Sequence, residues 1–144
     1  EGSEVYFCDI RDYSKLNLFL RELEPEIIFH LAAQPLVSNS YLNPLETYST
    51  NVMGLVNLFD ISRNLLKLKV IVNITTDKCY ENLNVKTKTY QEEDLLGGYD
   101  PYSSSKGCAE LVTSAFRRSF FQSTDVAIAS ARAGKLVRND ALWF

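Results

Sequence analysis

Three short apolar runs stand out along the chain, each ending in small or polar residues: 27–33 (IIFHLAA), 70–76 (VIVNITT) and 126–133 (VAIASARA). Their length and β-branched content predict strands, and their near-continuous apolarity predicts burial on both faces, the habit of a parallel sheet. Between the runs, apolar positions fall into helical spacing. Leu16, Phe19, Leu20 and Leu23 form one stripe, and Val52, Leu55, Val56, Phe59 and Leu66 form a second in a segment that starts near Asn43-Pro44. A third helix has a start signal at Asp100-Pro101, an acidic N-cap before a proline at the first helical position, and carries Ala109, Val112, Ala115 and Phe116 on one face. Strands alternating with helices predict an α/β fold. The segment 4–10 also reads as a strand. The stretch 81–99, with Lys86, Lys88, Glu92, Glu93, Asp94 and Gly97-Gly98, follows neither period, and a loop of that length is usually functional or mobile.

Composition narrows the class. With 144 residues, 46% hydrophobic and 12% aromatic, the chain has material for one domain with a real core, which excludes disorder as the default. Fifteen Lys and Arg against eighteen Asp and Glu are scattered rather than striped, so nucleic acid is a poor partner. No window approaches the ~18 consecutive apolar residues of a membrane helix, and the start EGSEVYFCDI lacks a signal-peptide pattern, which predicts a soluble, cytoplasmic protein. Met53 is the only methionine and position 1 is Glu, so an N-terminal part is expected to be missing or processed away. Cys8, Cys79 and Cys108 form neither a disulfide framework nor a C-x-x-C pair, so a reduced compartment and no metal site are expected.

Candidate chemistry gathers at two places. Tyr102-Ser103-Ser104-Ser105-Lys106 puts a tyrosine and a lysine four apart on the first turns of a helix, hence on one face. An ammonium so placed would stabilise the phenolate, lower the tyrosine pKa and let it take a proton from a sugar hydroxyl near neutral pH. An ordinary exposed pair has the same spacing. Thr75-Thr76-Asp77-Lys78 follows directly on the second strand, at the carboxyl end where open α/β sheets bind ligands. It offers a hydroxyl, an acid and an amine, although a plain polar cap would read the same way. Asn51 falls on the second helix among apolar neighbours, where its amide either finds a partner or faces solvent. His30, the only histidine, reads as a packed core residue, and Cys79 has no histidine to activate it.

The order of these elements resembles a known family. HLAAQPLVSNSY, TYSTNVMG, VNITTDKCYEN, GGYDPYSSSKGCAELV and ASARAG together closely resemble the CDP-glucose 4,6-dehydratases of the extended short-chain dehydrogenase/reductase superfamily, over nearly all of 9–134. Lysine after the aspartate points to the CDP-sugar branch, since the related dTDP-glucose enzymes usually carry glutamate there. The resemblance implies an NAD-dependent internal redox reaction on a nucleotide sugar. Tyr102 would take the proton from the hydroxyl on carbon 4, with Lys106 holding the nicotinamide ribose and Thr76 orienting that hydroxyl. Asp77 would act as acid toward the hydroxyl leaving carbon 6, and Lys78 would sit near the proton on carbon 5. Asp9 and Ile10 match the adenine-contacting pair; Leu31, Ala32, Ala33 and Thr75 match strand-end positions lining the dinucleotide. Asn51 matches the family's structural asparagine, and a homo-oligomer is expected.

Departures from the family pattern shape the fold expectation. The strand, G-x-x-G-x-x-G turn and helix that hold a dinucleotide pyrophosphate do not occur in these residues, so 4–10 matches the family's third strand and would have no neighbour. The expected architecture is therefore an incomplete Rossmann-like doubly wound parallel sheet, without its first two strands or the C-terminal substrate domain. Residues 1–134 would form a partial NAD-binding domain with the catalytic residues, and 135–144 a divergent tail, beginning at Lys135. Ser38 stands where the family has arginine. The competing expectations are another nucleotide-sugar epimerase or dehydratase of the superfamily, or a non-catalytic fragment or pseudoenzyme that pairs with another subunit through 53–66 and the helix from Pro101.

Overall fold

The computed structural model describes residues 3–81 and 89–134. Strands β1 (Ile27–His30), β2 (Val70–Thr76) and β3 (Ala127–Ala133) form a parallel sheet in that spatial order, with Ile27 opposite Val70 and Val70 opposite Ala127. All three apolar runs thus became strands. Helix α1 (Tyr13–Leu23) precedes β1; α2 (Val37–Leu42), α3 (Pro44–Tyr48) and α4 (Gly54–Ser62) lie between β1 and β2; α5 (Pro101–Phe116) lies between β2 and β3. The alternation is the α/β order expected, as part of a Rossmann-like sheet.

Local signals explain the helix starts. Asp12 accepts from the Lys15 backbone N–H at 3.0 Å to cap α1. Asp100 accepts from the Ser103 N–H at 2.9 Å and its hydroxyl at 2.6 Å, with Pro101 in the first turn of α5. The second helical segment runs from α3 through a π-turn (Ser49–Met53) into α4. Leu66, placed on its stripe by spacing, instead lies beyond the helix and is 92% exposed. The short helix α2 has no apolar stripe to announce it, and Ser40 is its buried residue.

The core lies between the helices and one face of the sheet: Leu55, Phe59, Leu65, Leu68, Ile71, Ala109, Phe121 and Ile128. Phe59 is fully buried and its ring stacks on Phe116 at 5.4 Å, so truncating it to alanine would cost about 3–5 kcal/mol. The expected burial on both faces is not found. Ile71, Asn73 and Thr75 of β2 are buried, whereas Ile27 and Phe29 of β1 and Ala127, Ala129 and Ala131 of β3 point to an exposed face. The helices of the described residues cover one side, so apolar composition alone overstated the burial.

The segment 4–10 is not a strand. Val5 and Phe7 are exposed, and no described strand runs beside the segment to complete a ladder, without which extended backbone gains no pairing. Its one aromatic anchor is Tyr6 against Phe19 of α1, with ring centroids 5.3 Å apart. The expected tail, 135–144, lies outside the described residues, as do Lys86 and Lys88.

Candidate active site

The carboxyl end of β2 turns sharply. The Thr76 hydroxyl donates to Asp77 Oδ1 at 3.0 Å and accepts from the Lys78 backbone N–H at 3.4 Å, capping a single 3₁₀ turn, Asp77–Cys79. Helix α5 reaches this turn because Gly107 has no side chain. A Cβ there would stand 2.6 Å from the Gly97 carbonyl oxygen and 3.4 Å from that of Cys79. Gly98 adopts φ +132°, and a Cβ on it would meet the Ser104 nitrogen at 2.3 Å. Beside the turn, the Gly97 N–H donates to Cys79 O at 2.9 Å and the Glu81 N–H to Leu95 O at 2.8 Å.

This packing brings Thr76, Asp77 and Lys78 to Tyr102, with Lys106 one helical turn further along α5 and near His30. Tyr102 is 9% and Lys106 8% exposed, so the exposed-pair reading does not hold. Lys78 Nζ lies 6.0 Å from the centre of the Tyr102 ring. Asp77, Lys78, Tyr99, Asp100 and Ser103 line a cavity of about 370 Å³, and Asp77 also borders a larger one of about 850 Å³ beside Tyr80, Glu110 and Arg132.

The electrostatics correct one expectation. Burial pushes the Tyr102 pKa up; the Thr76 hydrogen bond opposes this, while Asp77 and Asp100 add to the rise. Lys106 was expected to lower it. Its field falls instead on His30 at the end of β1, whose pKa burial and Lys106 together push down to about 4. Lys106 is itself lowered by burial. His30 is 7% exposed, in keeping with a core histidine, and among the described residues no three His, Cys, Asp or Glu cluster as a metal site. Burial raises the Cys79 thiol to about 11, which keeps it protonated near neutral pH.

Asn51 has the partners its position demanded. Its carbonyl accepts from the Gln34 N–H at 2.8 Å, and its amide donates to the Gln34 carbonyl at 3.2 Å and the Ser105 hydroxyl at 2.8 Å. One side chain thereby ties the segment after β1 to α5. The other expected positions lie toward β1. Leu31 and Ala32 are exposed and Ala33 is half-buried just beyond that strand. Asp9 is exposed and ion-paired to Arg11 at 2.6 Å, which holds its pKa down at about 2. Ile10 rests on Gly54, and its carbonyl accepts from Asn57 Nδ2 at 3.1 Å. Thr75 is buried, its hydroxyl donating to Glu110 of α5. Sequence reasoning missed Gln34, Ser105, Glu110 and Arg132. Glu110 was findable, since it continues the stripe Tyr102, Lys106 at four-residue spacing.

A family model for GDP-mannose 4,6 dehydratase matches residues 2–138. The chain belongs to that family. It is 52% identical over 139 residues to the CDP-glucose 4,6-dehydratase of Salmonella typhimurium, a match spanning 93% of this chain and 38% of that protein. Among solved structures, UDP-glucose 4-epimerase of Thermotoga maritima, with UDP-glucose, superposes at a TM-score of 0.78 with 25% identity, over 88% of this chain and 40% of that one. A double mutant of dTDP-glucose 4,6-dehydratase from Streptomyces venezuelae, solved with NAD, superposes at 0.73 with 28% identity, over 85% of this chain and 36% of that one. The chain therefore spans about two fifths of the length of these relatives. No helix among the described residues is long and apolar enough to cross a membrane.

Proposed function

We propose that this chain carries the catalytic part of an NAD-dependent CDP-glucose 4,6-dehydratase, a lyase that forms CDP-4-keto-6-deoxyglucose in the cytoplasm. The observation that carries the reading is the approach of Lys78 to the buried Tyr102 ring beside a cavity that Asp77 and Lys78 line, in a chain 52% identical to a CDP-glucose 4,6-dehydratase.

Each side chain then has a task. Tyr102 takes the proton from the hydroxyl on carbon 4, and Thr76, beside the phenol, orients that hydroxyl. NAD, when bound, would supply a reversible hydride acceptor for carbons 4 and 6, and Lys78 would return a proton to carbon 5 when the hydride reaches carbon 6. The ketone at carbon 4 acidifies carbon 5, whose proton Lys78 accepts, and Asp77 gives a proton to the hydroxyl leaving carbon 6, so that water is lost. For NAD, the fit lies in Lys106, a buried amine whose chemistry suits a ribose hydroxyl, and in the edge of Asp9, Ile10, Leu31, Ala32 and Ala33, exposed at Asp9, Leu31 and Ala32, which suits adenosine. Thr75 and Asn51 support that edge from inside the fold. No glycine-rich pyrophosphate turn occurs in these residues. Met53 and Leu111, 54% and 60% exposed on the helical segments expected to pair subunits, are assigned to a homo-oligomer contact.

A 4-epimerase would share Tyr102 and Lys106 but leave Asp77 and Lys78 without a task. The full-length gene product supplied with CDP-, dTDP- and UDP-glucose separates the two, with CDP-glucose expected to yield the 4-keto-6-deoxy sugar. Simple inversion at carbon 4, or preference for another nucleotide, would overturn the assignment. Within the same protein, Lys78→Met is expected to block deuterium uptake at carbon 5 from heavy water. Undiminished uptake would move the carbon 5 base elsewhere.

A further inference from the structure

Glu110 lies one helical turn beyond Lys106 on α5, 4% exposed, and joins three elements. One carboxylate oxygen accepts from the Thr75 hydroxyl on β2, and the other from Arg132 of β3 at 2.9 Å. Arg132 extends the contact. It donates to the Tyr80 hydroxyl at 2.8 Å and the Glu92 carbonyl at 2.9 Å, and its guanidinium lies 5.0 Å from the Tyr80 ring centre. On its other side Tyr80 stacks on Tyr90, with centroids 4.7 Å apart and ring planes within 6°.

Stability alone is a weak reason for such a pair, because desolvating two charges offsets most of their attraction and an apolar pair of similar volume usually serves as well. What the pair supplies is direction. A carboxylate held through both oxygens, by a hydroxyl and a planar guanidinium, permits far less sliding than apolar contact does. Thr75 is the residue before Thr76 and two before Asp77, while Glu110 shares its helix and face with Tyr102 and Lys106. The Thr75–Glu110 bond therefore spans the two elements whose relative placement defines the site.

We infer that Glu110 and Arg132 are positioning residues, a brace that holds the helix of Tyr102 and Lys106 in register with the strand end bearing Thr76, Asp77 and Lys78. The inference rests on the function proposed above. Neither residue needs to touch the sugar. The titratable groups around Tyr102 are Asp77 and Lys78 from the turn, Asp100 at the helix start and Lys106 on the helix; of these, Asp77 and Asp100 raise its pKa, against the Thr76 bond. A brace that loosens draws Thr76 away from the phenol, and with it the one influence that lowers the Tyr102 pKa, so the pH at which Tyr102 ionises moves up.

The experiment uses the full-length protein with CDP-glucose and compares Glu110→Met, which keeps volume but drops both bonds, with Glu110→Gln, which keeps an acceptor. Glu110→Met is expected to lower kcat ~100-fold, the effect of about 1 Å of misplacement, and Glu110→Gln ~10-fold. Both should leave KM within ~3-fold, the signature of an interaction felt in the transition state only. The rising limb of kcat/KM against pH should move to higher pH in each. If Glu110→Met does not fold, Glu110→Gln decides. A lowered melting temperature with kcat and the pH limb unchanged would make the pair merely structural, and a raised KM with kcat unchanged would make it a substrate contact; either overturns the brace. Should the wild-type protein leave CDP-glucose untouched, the proposed function fails by itself. The brace is then read from tyrosinate absorbance, as the difference from Tyr102→Phe, which Glu110→Gln must shift upward if the inference is right and leaves in place if it is wrong.

Discussion

Around the end of β2, buried polar side chains are held by another element. Asn73 donates to Thr113 of α5 at 2.8 Å, Thr75 to Glu110, and Asn51 reaches Ser105, each across 35 or more residues of sequence. Around Asp9 and Leu31 the side chains are exposed, although the backbone beside Asp9 is held by Asn57 of α4. Asp9 binds Arg11, two residues away, and Leu31 is 68% exposed. The first region owes its geometry to hydrogen bonds between elements. The second presents surface whose order a bound ligand would have to complete, so substitutions should act on different measurements in the two regions.

The largest effect is expected from Tyr102→Phe in the full-length protein. Removing the base should lower kcat ~10²–10⁴-fold while leaving nucleotide-sugar binding intact. Near-normal ketosugar formation would break the idea that the braced region carries the proton transfer.

Acid should separate the regions next. His30 is buried neutral, with a folded pKa of about 4 against an ordinary 6.5. Between those values the unfolded chain binds more protons than the folded one, so stability is intact above about pH 6.5 and falls as the pH drops toward 4, by about 3 kcal/mol. His30→Gln should flatten that part of the melting profile. Glu110, whose pKa is lowered by Arg132 and Thr75 against its burial, adds a loss at still lower pH, and comparison with the variant isolates the histidine.

Asn51→Ala should cost about 2 kcal/mol, because it strands buried groups of Gln34 and Ser105, and a fall in melting temperature measures it. An unchanged melting temperature would mean that the tie between the β1 side and α5 is dispensable. The smallest change is expected from Asp9→Asn, which should leave the melting temperature alone and weaken NAD binding about tenfold in the full-length protein. A clear loss of stability there would remove the contrast between the regions.

Much of this was legible in advance where the signal is local. Asp100-Pro101 fixed the start of α5, and the four-residue step from Tyr102 to Lys106 put both on one face. The strand ending in Thr75-Thr76-Asp77-Lys78 carried its own β-branched pattern. Less was legible where the outcome depends on a neighbour. Segment 4–10 has strand chemistry yet no strand beside it among the described residues, and Leu66 kept helical spacing beyond the helix.

Sequence by itself thus determined the three strands, the longer helices and which of their residues share a face, because the periods of helix and strand are set by a few bonds along the chain. Tertiary structure alone decided that Tyr102 and Lys106 are buried, that the tyrosine pKa rises where an adjacent lysine suggested a fall, and that Glu110 reaches Arg132. Desolvation and cross-element hydrogen bonds depend on what packs alongside, and Thr75 meets Glu110 from 35 residues away.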